Sequence, residues 1–289
     1  MNVSTAIVTD SNSGIFEQEG EKLGIRVIPM PVMIDGETYY EGRDLSHREF
    51  YQYLTEGRQV SSSQPSLEEI KETWDDLLAS GYEEIVHIPM SSGLSGSFQS
   101  ASMLASGYDG KVQVVDNHRI SVTLRQSVEE AIGLAEGGLG AVQIKEKLEQ
   151  EGPESIILVG VETLKYLKRG GRITPAAAAM GEILNIKPLL IIQGERLDAY
   201  AKVRGTRSCK KRLIQEMKQR AEECHARGEK ILVGAAGSFA DCEAEQEWKD
   251  MVWEAFAGEE IKYDPLTFSI SCHVGPGAFG MGISRKAVP

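Results

Sequence analysis

No apolar run in the sequence approaches the roughly 20 residues a membrane-spanning helix needs, so no transmembrane segment is expected. Basic residues are in short supply: 31 Lys and Arg face 43 Asp and Glu, giving a formal net charge of −12 and a pI near 5.0. Phosphate neutralisation needs clustered cations, which argues against a nucleic-acid or anionic-membrane binder and leaves only transient membrane contact open. The 4 cysteines (Cys209, Cys224, Cys242, Cys272) show no C-x-x-C spacing and no zinc-like pairing with histidine, and read as reduced thiols of a cytoplasmic protein. The first eight residues lack a basic segment and meet Asp10 too early for a signal peptide. There is no G-x-G-x-x-G after the first strand and no G-x-x-x-x-G-K-[ST], so neither a dinucleotide site nor a P-loop is expected. His118 and His273 stand alone, without metal-ligand spacing. No metal and no cofactor is therefore expected.

What remains is 289 residues of ordinary composition, 41% hydrophobic and 26% charged, enough for two packed domains. Up to residue 153, strand-like runs at 5–10, 25–34, 84–88 and 112–116 alternate with helical patterns. That alternation predicts a parallel sheet covered on both faces. Pro29 and Pro31 mark 25–34 as an edge or bent strand, and Asp35-Gly36 is a hairpin turn. Ser46 with Glu49, and Ser66 with Glu69, have capping-box spacing. Past Pro153 the pattern becomes hairpin-like. A small-residue helix begins at Ala176, strands 188–192 and 197–203 pair across Gly194-Glu195, and late strands cover 261–270 and 273–283. The expected fold is two α/β domains, 1–153 and 154–289. The first is a three-layer parallel sheet and the second a smaller two-layer mixed sheet.

The loop Pro89-Met90-Ser91-Ser92-Gly93-Leu94-Ser95-Gly96-Ser97 joins a strand to a helix N-terminus, where free N–H groups and the helix dipole favour an anion. It nearly matches G-x-S-x-G but has Ser97 at the last position. From the residues alone Ser95 reads as a helix cap, as a donor to a bound oxyanion, or as a nucleophile. Ser61-Ser62-Ser63-Gln64-Pro65-Ser66 is a second hydroxyl cluster, an ordinary solvated loop unless it faces the first. Glycines and a proline frame His273 in Ser271-Cys272-His273-Val274-Gly275-Pro276-Gly277-Ala278, which fits a structural or a functional imidazole equally. Arg169-Gly170-Gly171-Arg172, and the basic run from Lys202 to Arg212, read as solvated faces or as docking points for an acidic partner or phosphate.

These stretches, with Thr9-Asp10-Ser11, Thr163-Leu164-Lys165-Tyr166-Leu167, Ile186-Lys187-Pro188 and Lys202-Val203-Arg204, resemble the DegV family of bacterial fatty-acid-binding proteins in their order over nearly the whole chain. The resemblance implies two α/β domains with one long-chain fatty acid between them and no catalytic residues. Ser62 and Ser95 would contact the carboxylate, with Gly96 N–H and His273 nearby. A separate ATP-dependent fatty acid kinase would phosphorylate the bound acid, and Arg169, Arg172 and Arg204 would meet kinase or phosphoryl group. Ser62 and Ser97 stand where the family usually has threonine; both keep the hydroxyl. Each buried CH₂ contributes about 0.8 kcal/mol, so ordinary core residues suffice for a tunnel. The head group is expected on neutral donors rather than a fixed cation. Ile183, Leu184, Ile186, Phe268 and Ile270 are candidate walls, with the alanines at 176–179 leaving room. The alternative from another class is a serine esterase or thioesterase with Ser95 as nucleophile and His273 as base.

Overall fold

In the computed structural model, which describes residues 4–180 and 185–286, the first strand, β1 (Thr5–Asp10), sets the layering. Strand side chains alternate between faces. Ala6 and Val8 enter one apolar cluster and Ile7 another. Next come α1 (Glu17–Leu23), β2 (Arg26–Ile28), β3 (Pro31–Ile34), β4 (Glu37–Tyr40), α2 (His47–Glu56) and β5 (Val60–Ser62). Then follow α3 (Leu67–Ala79), β6 (Glu84–Ile88), α4 (Ser97–Ala105), β7 (Val112–Val114), α5 (Val122–Glu136) and α6 (Ala141–Glu151). Strands in the order β2-β1-β6-β7 form a wholly parallel sheet. Ile70, Trp74 and Ala101 of α3 and α4 cover one face. Val128, Ala131, Ile144 and Leu148 of α5 and α6 cover the other. The three-layer expectation holds.

Residues 25–34 form two strands rather than one. Pro29 has no N–H to give a ladder, so β2 ends at Ile28. β3 then joins a separate antiparallel sheet of order β4-β3-β5. Asp35 and Gly36 turn the β3–β4 hairpin with φ of 51° and 91°. Ser46 and Glu49 make the reciprocal cap of α2, and the Ser66 side chain accepts the Glu69 N–H to open α3.

A 3₁₀ turn, Gly152–Glu154, leads into β8 (Ile156–Gly160), α7 (Lys165–Gly170), α8 (Pro175–Ala178), β9 (Ile186–Ile192) and β10 (Asp198–Arg204). The chain continues through α9 (Thr206–Ala226), β11 (Ile231–Ser238), α10 (Cys242–Ala255), β12 (Ile261–Pro265), α11 (Phe268–Val274) and β13 (Ala278–Arg285). Their sheet, β10-β9-β8-β13-β11-β12, pairs β11 with β12 in parallel and is otherwise antiparallel. It is mixed, as expected. With β12 and β13 flanking β11, it has six strands against the four of the parallel sheet.

The late strands expected over 261–270 and 273–283 enclose a helix instead. Phe268, Ser269, Ser271, Cys272 and Val274 of α11 are all buried, so no polar stripe marks it as helical in sequence. Gly275, at φ 81°, ends it. The helix expected from Ala176 is described over Pro175–Ala178; Ile183 and Leu184 lie outside the described residues.

One face of the six-stranded sheet packs on α9 and α10 through Leu213, Met217, Trp248 and Val252. Its other face, with Ile157, Val159, Leu190, Ile192 and Ala236, joins the cluster that holds α5. Two glycines allow that approach. A Cβ on Gly234 would lie 2.5 Å from Val122 Cβ, and one on Gly282 would lie 2.8 Å from Thr123 Cγ2. Arg125 of α5 secures the junction. Its guanidinium donates to Glu19 at 2.6 Å and to the Gly14 carbonyl at 2.8 Å, and its Nε lies 2.7 Å from Asp264 Oδ2.

Candidate functional site

The hydroxyl loop after β6 is fixed from below by Asp10, at the end of the neighbouring strand. Its carboxylate accepts the N–H groups of Met90 and Asn12, both at 2.9 Å. Burial lifts the Asp10 carboxyl to about 6 against the pull of these donors. Further along the loop, Ser91 Oγ donates to the Gly194 carbonyl at 2.8 Å, and Arg172 Nε donates to the Leu94 carbonyl at 3.2 Å. Ser95 is thereby held at the start of α4. Its Oγ lies 2.8 Å from Ser97 Oγ and accepts the Ser97 N–H at 3.2 Å.

The second hydroxyl loop does face the first. Ser62, ending β5, places its Oγ 2.8 Å from His273 Nε2. Gln64 Nε2 donates to Ser100 Oγ on α4 at 2.8 Å. Ser62, Ser63, Gln64, Ser95, Arg172 and His273 line a cavity between the parallel and mixed sheets. Most of the remaining lining is apolar: Met30, Met90, Leu94, Ile120 and Val122 from one half, and Ile157, Val159, Ile192, Ala236, Ile270 and Met281 from the other.

His273 sits on α11 with its Nδ1 only 2.3 Å from where a Cβ on Gly170 would stand, so the glycine of the basic turn makes room for the imidazole. Burial, then the charges of Arg172 and Arg169, push the imidazole down to about 4. It is neutral near pH 7. Burial of the adjacent Cys272 pushes its thiol up to about 12, which keeps it protonated.

At the other end of α11, the Glu41 carboxyl accepts the Phe268 N–H at 2.6 Å, and burial lifts it to about 8. The folded protein therefore holds a proton between about pH 4.5 and 8 that the unfolded chain releases. Stability contributed by this group falls as pH rises through that window. Glu41→Gln should give a flatter melting temperature against pH from about pH 5 to 8; curves parallel to the wild type would refute the assignment.

The structure thus gathers Ser62, Ser95, His273 and Arg172 around one cavity. Gly96 opens onto an adjoining outer cleft lined also by Ser95, Arg172 and Arg196. Arg169 stands one step back, donating to the Val60 carbonyl at 2.8 Å with its guanidinium 5.7 Å from the Tyr166 ring centre. Arg204 is apart, exposed at the end of edge strand β10. Of the expected walls Ile270 lines the cavity. Phe268 instead stacks on Phe50 with ring centres 4.2 Å apart, in the cluster of the small sheet. Ile186 and the alanines at 176–179 do not line the cavity. Arg172 also brings a guanidinium to a lining expected to hold neutral donors alone. The Ser95–His273 pair of the esterase alternative is not formed, because Ser95 bonds Ser97 while His273 bonds Ser62. Sequence reading missed Asn12, Ser121 and Ser269 in the lining. For Asn12 the available signal was its place in the turn directly after the first strand.

A family model described as "Uncharacterised protein, DegV family" matches residues 4–286. The chain belongs to the DegV family. A DegV domain-containing protein of Deinococcus radiodurans is 30% identical, over 97% of this chain and 98% of the relative. Among solved structures, one reported for fatty acid binding of a DegV family protein from Thermus thermophilus superposes with a TM-score of 0.85 at 30% identity, covering 98% of this chain and 100% of that one. A stearic acid-binding protein from Eubacterium ventriosum gives 0.85 at 27% identity, with 98% of each chain covered. The parallel and mixed sheets described above are the two-domain DegV fold. Among the described residues of this DegV protein, no group of three or more His, Cys, Asp or Glu could hold a metal ion, and no helix is long and apolar enough to cross a membrane.

Proposed function

We propose that this DegV protein binds a long-chain fatty acid and presents it to a separate ATP-dependent fatty acid kinase in the cytoplasm. The carboxylate would take hydrogen bonds from Ser62 and Ser95, with the Gly96 N–H and neutral His273 beside it. The acyl chain would fill the apolar cavity. One observation carries this reading: two hydroxyl loops from separate parts of the sequence meet, with His273 beside them, on the wall of a mostly apolar cavity. Fatty-acid binding by solved relatives of the same fold supports it. Burying a dozen or more CH₂ groups supplies about 10 kcal/mol or more, so the hydroxyls need only orient the head. Arg172 would serve the head group and the transferred phosphoryl alike, since it lines, with Ser95, both the cavity and the outer cleft. Arg169 would position His273, and exposed Arg204 would meet the kinase.

Solvent extraction of the purified protein followed by mass spectrometry should release fatty acid in near-equimolar amount. Protein that emerges empty and takes up no added fatty acid would overturn the proposal. Treatment with a fluorophosphonate should leave the mass of the protein unchanged. An adduct that disappears in Ser95→Ala would replace the carrier with a hydrolase.

A further inference from the structure

The cavity wall carries polar groups that a plain acyl chain does not explain. Asn12 is 1% exposed and lines the cavity. Its Oδ1 accepts from Ser269 Oγ at 2.6 Å and Thr267 Oγ1 at 3.1 Å, while its Nδ2 faces Met90 Sδ at 2.8 Å. A thioether is a weak acceptor, so a buried amide donor is left under-satisfied. Flipping the amide would let Nδ2 donate to the Ser269 and Thr267 hydroxyls but would leave Oδ1 against a sulfur that has no proton to give. Next to it lies Ser121, whose N–H donates to the Asn12 carbonyl at 2.9 Å. Ser121 also lines the cavity, and its Oγ caps no N–H of α5 and has no hydrogen bond among the described residues. Ser269 lies four residues before His273 on α11, about 6 Å along the helix axis.

A saturated chain passing this point offers nothing to Asn12 Nδ2 or Ser121 Oγ. An oxygen on the chain offers both an acceptor and a donor. We infer that Asn12, Ser121 and Ser269 form a second polar station in the cavity, which selects acyl chains bearing a hydroxyl group several carbons from the carboxylate. The hydroxyl oxygen accepts from Asn12 Nδ2 and its proton goes to Ser121 Oγ. No bond is made or broken; the station acts on affinity alone. The inference rests on the carrier reading and deepens it by naming the ligand class.

The test is competition against a fluorescent fatty acid by hexadecanoic acid and a positional series of its monohydroxy derivatives. Wild-type protein should prefer one isomer, hydroxylated nearer the carboxylate than the methyl end, about three- to tenfold over the isomers hydroxylated elsewhere. Ser121→Ala should erase that preference while hexadecanoic acid still binds. Met90→Leu, which keeps volume but removes the sulfur, should widen it, because Asn12 Nδ2 then has no other partner. Equal affinity across the hydroxylated series overturns the inference and leaves the carrier intact. A preference that survives Ser121→Ala also overturns it. If no acid in the panel displaces the probe from any variant, the carrier reading itself has failed.

Discussion

With Ser62 and Ser95 both changed to alanine, the protein should purify almost free of fatty acid. A hydrogen bond to a charged, desolvated carboxylate contributes about 1.5–3 kcal/mol, so two contribute about 3–6. Retention should fall by a factor on the order of 10² to 10⁴. The single variants should differ in kind. Ser95→Ala also removes the acceptor of the Ser97 N–H and costs about 1 kcal/mol of stability as a lost turn hydrogen bond ahead of α4. Ser62→Ala frees His273 Nε2, which can then donate directly to the head group and recover part of the loss. Displacement of a fluorescent fatty acid, with a thermal melt of each variant as control, measures both effects. Unchanged affinity in the double variant would mean that the α4 N–H groups and Arg172 hold the carboxylate by themselves.

Replacing Arg125 with methionine should lower the melting temperature by on the order of 10 °C. Arg125 is the hub of a half-buried network in which Glu19 and the Gly14 carbonyl come from the first part of the chain and Asp264 from the last. The Nε contact with Asp264 is close but too oblique for a hydrogen bond, so attraction between charges dominates it. Even beside that cation, burial lifts the Asp264 carboxyl to about 6. Removing the guanidinium strands this carboxyl, and breaking such a pair costs about 3–5 kcal/mol. For a chain of this size each kcal/mol moves the midpoint by about 2–4 °C. Without the cation Asp264 would take up its proton at higher pH still, so the gap between variant and wild type should narrow as pH falls towards about 6, where the wild-type carboxyl is protonated too. A gap that is constant with pH would locate the loss in packing instead.

The elements legible in sequence were those marked by an apolar run, a capping pair or a turn residue. Strand β1, the capped helices α2 and α3, and the β9–β10 hairpin all carry a period or a turn residue that neighbouring segments cannot imitate. Helix α11 was not legible, because a helix buried on several sides loses its amphipathic stripe and Phe268, Ile270 and Val274 equally suit a strand. For the site, Ser62, Ser95 and His273 were found through family motifs, while their meeting is a property of the fold: Ser62 and His273 are 211 positions apart. The apolar walls were mostly not legible. Ile270 lines the cavity and Phe268 does not, although both lie in one short helix and have the same polarity.

The close seating of α5 on the mixed sheet has a further effect. Val122, the side chain that a β-carbon on Gly234 would strike and one on Gly282 would crowd, is also part of the cavity lining. The bore of the cavity is therefore set from behind, by two positions that do not line it. A methyl group added at either one would push α5 inward or tilt it, changing what fits without altering any ligand contact. Such remote calibration gives a lineage a way to retune its lipid preference while every residue at the head group stays the same.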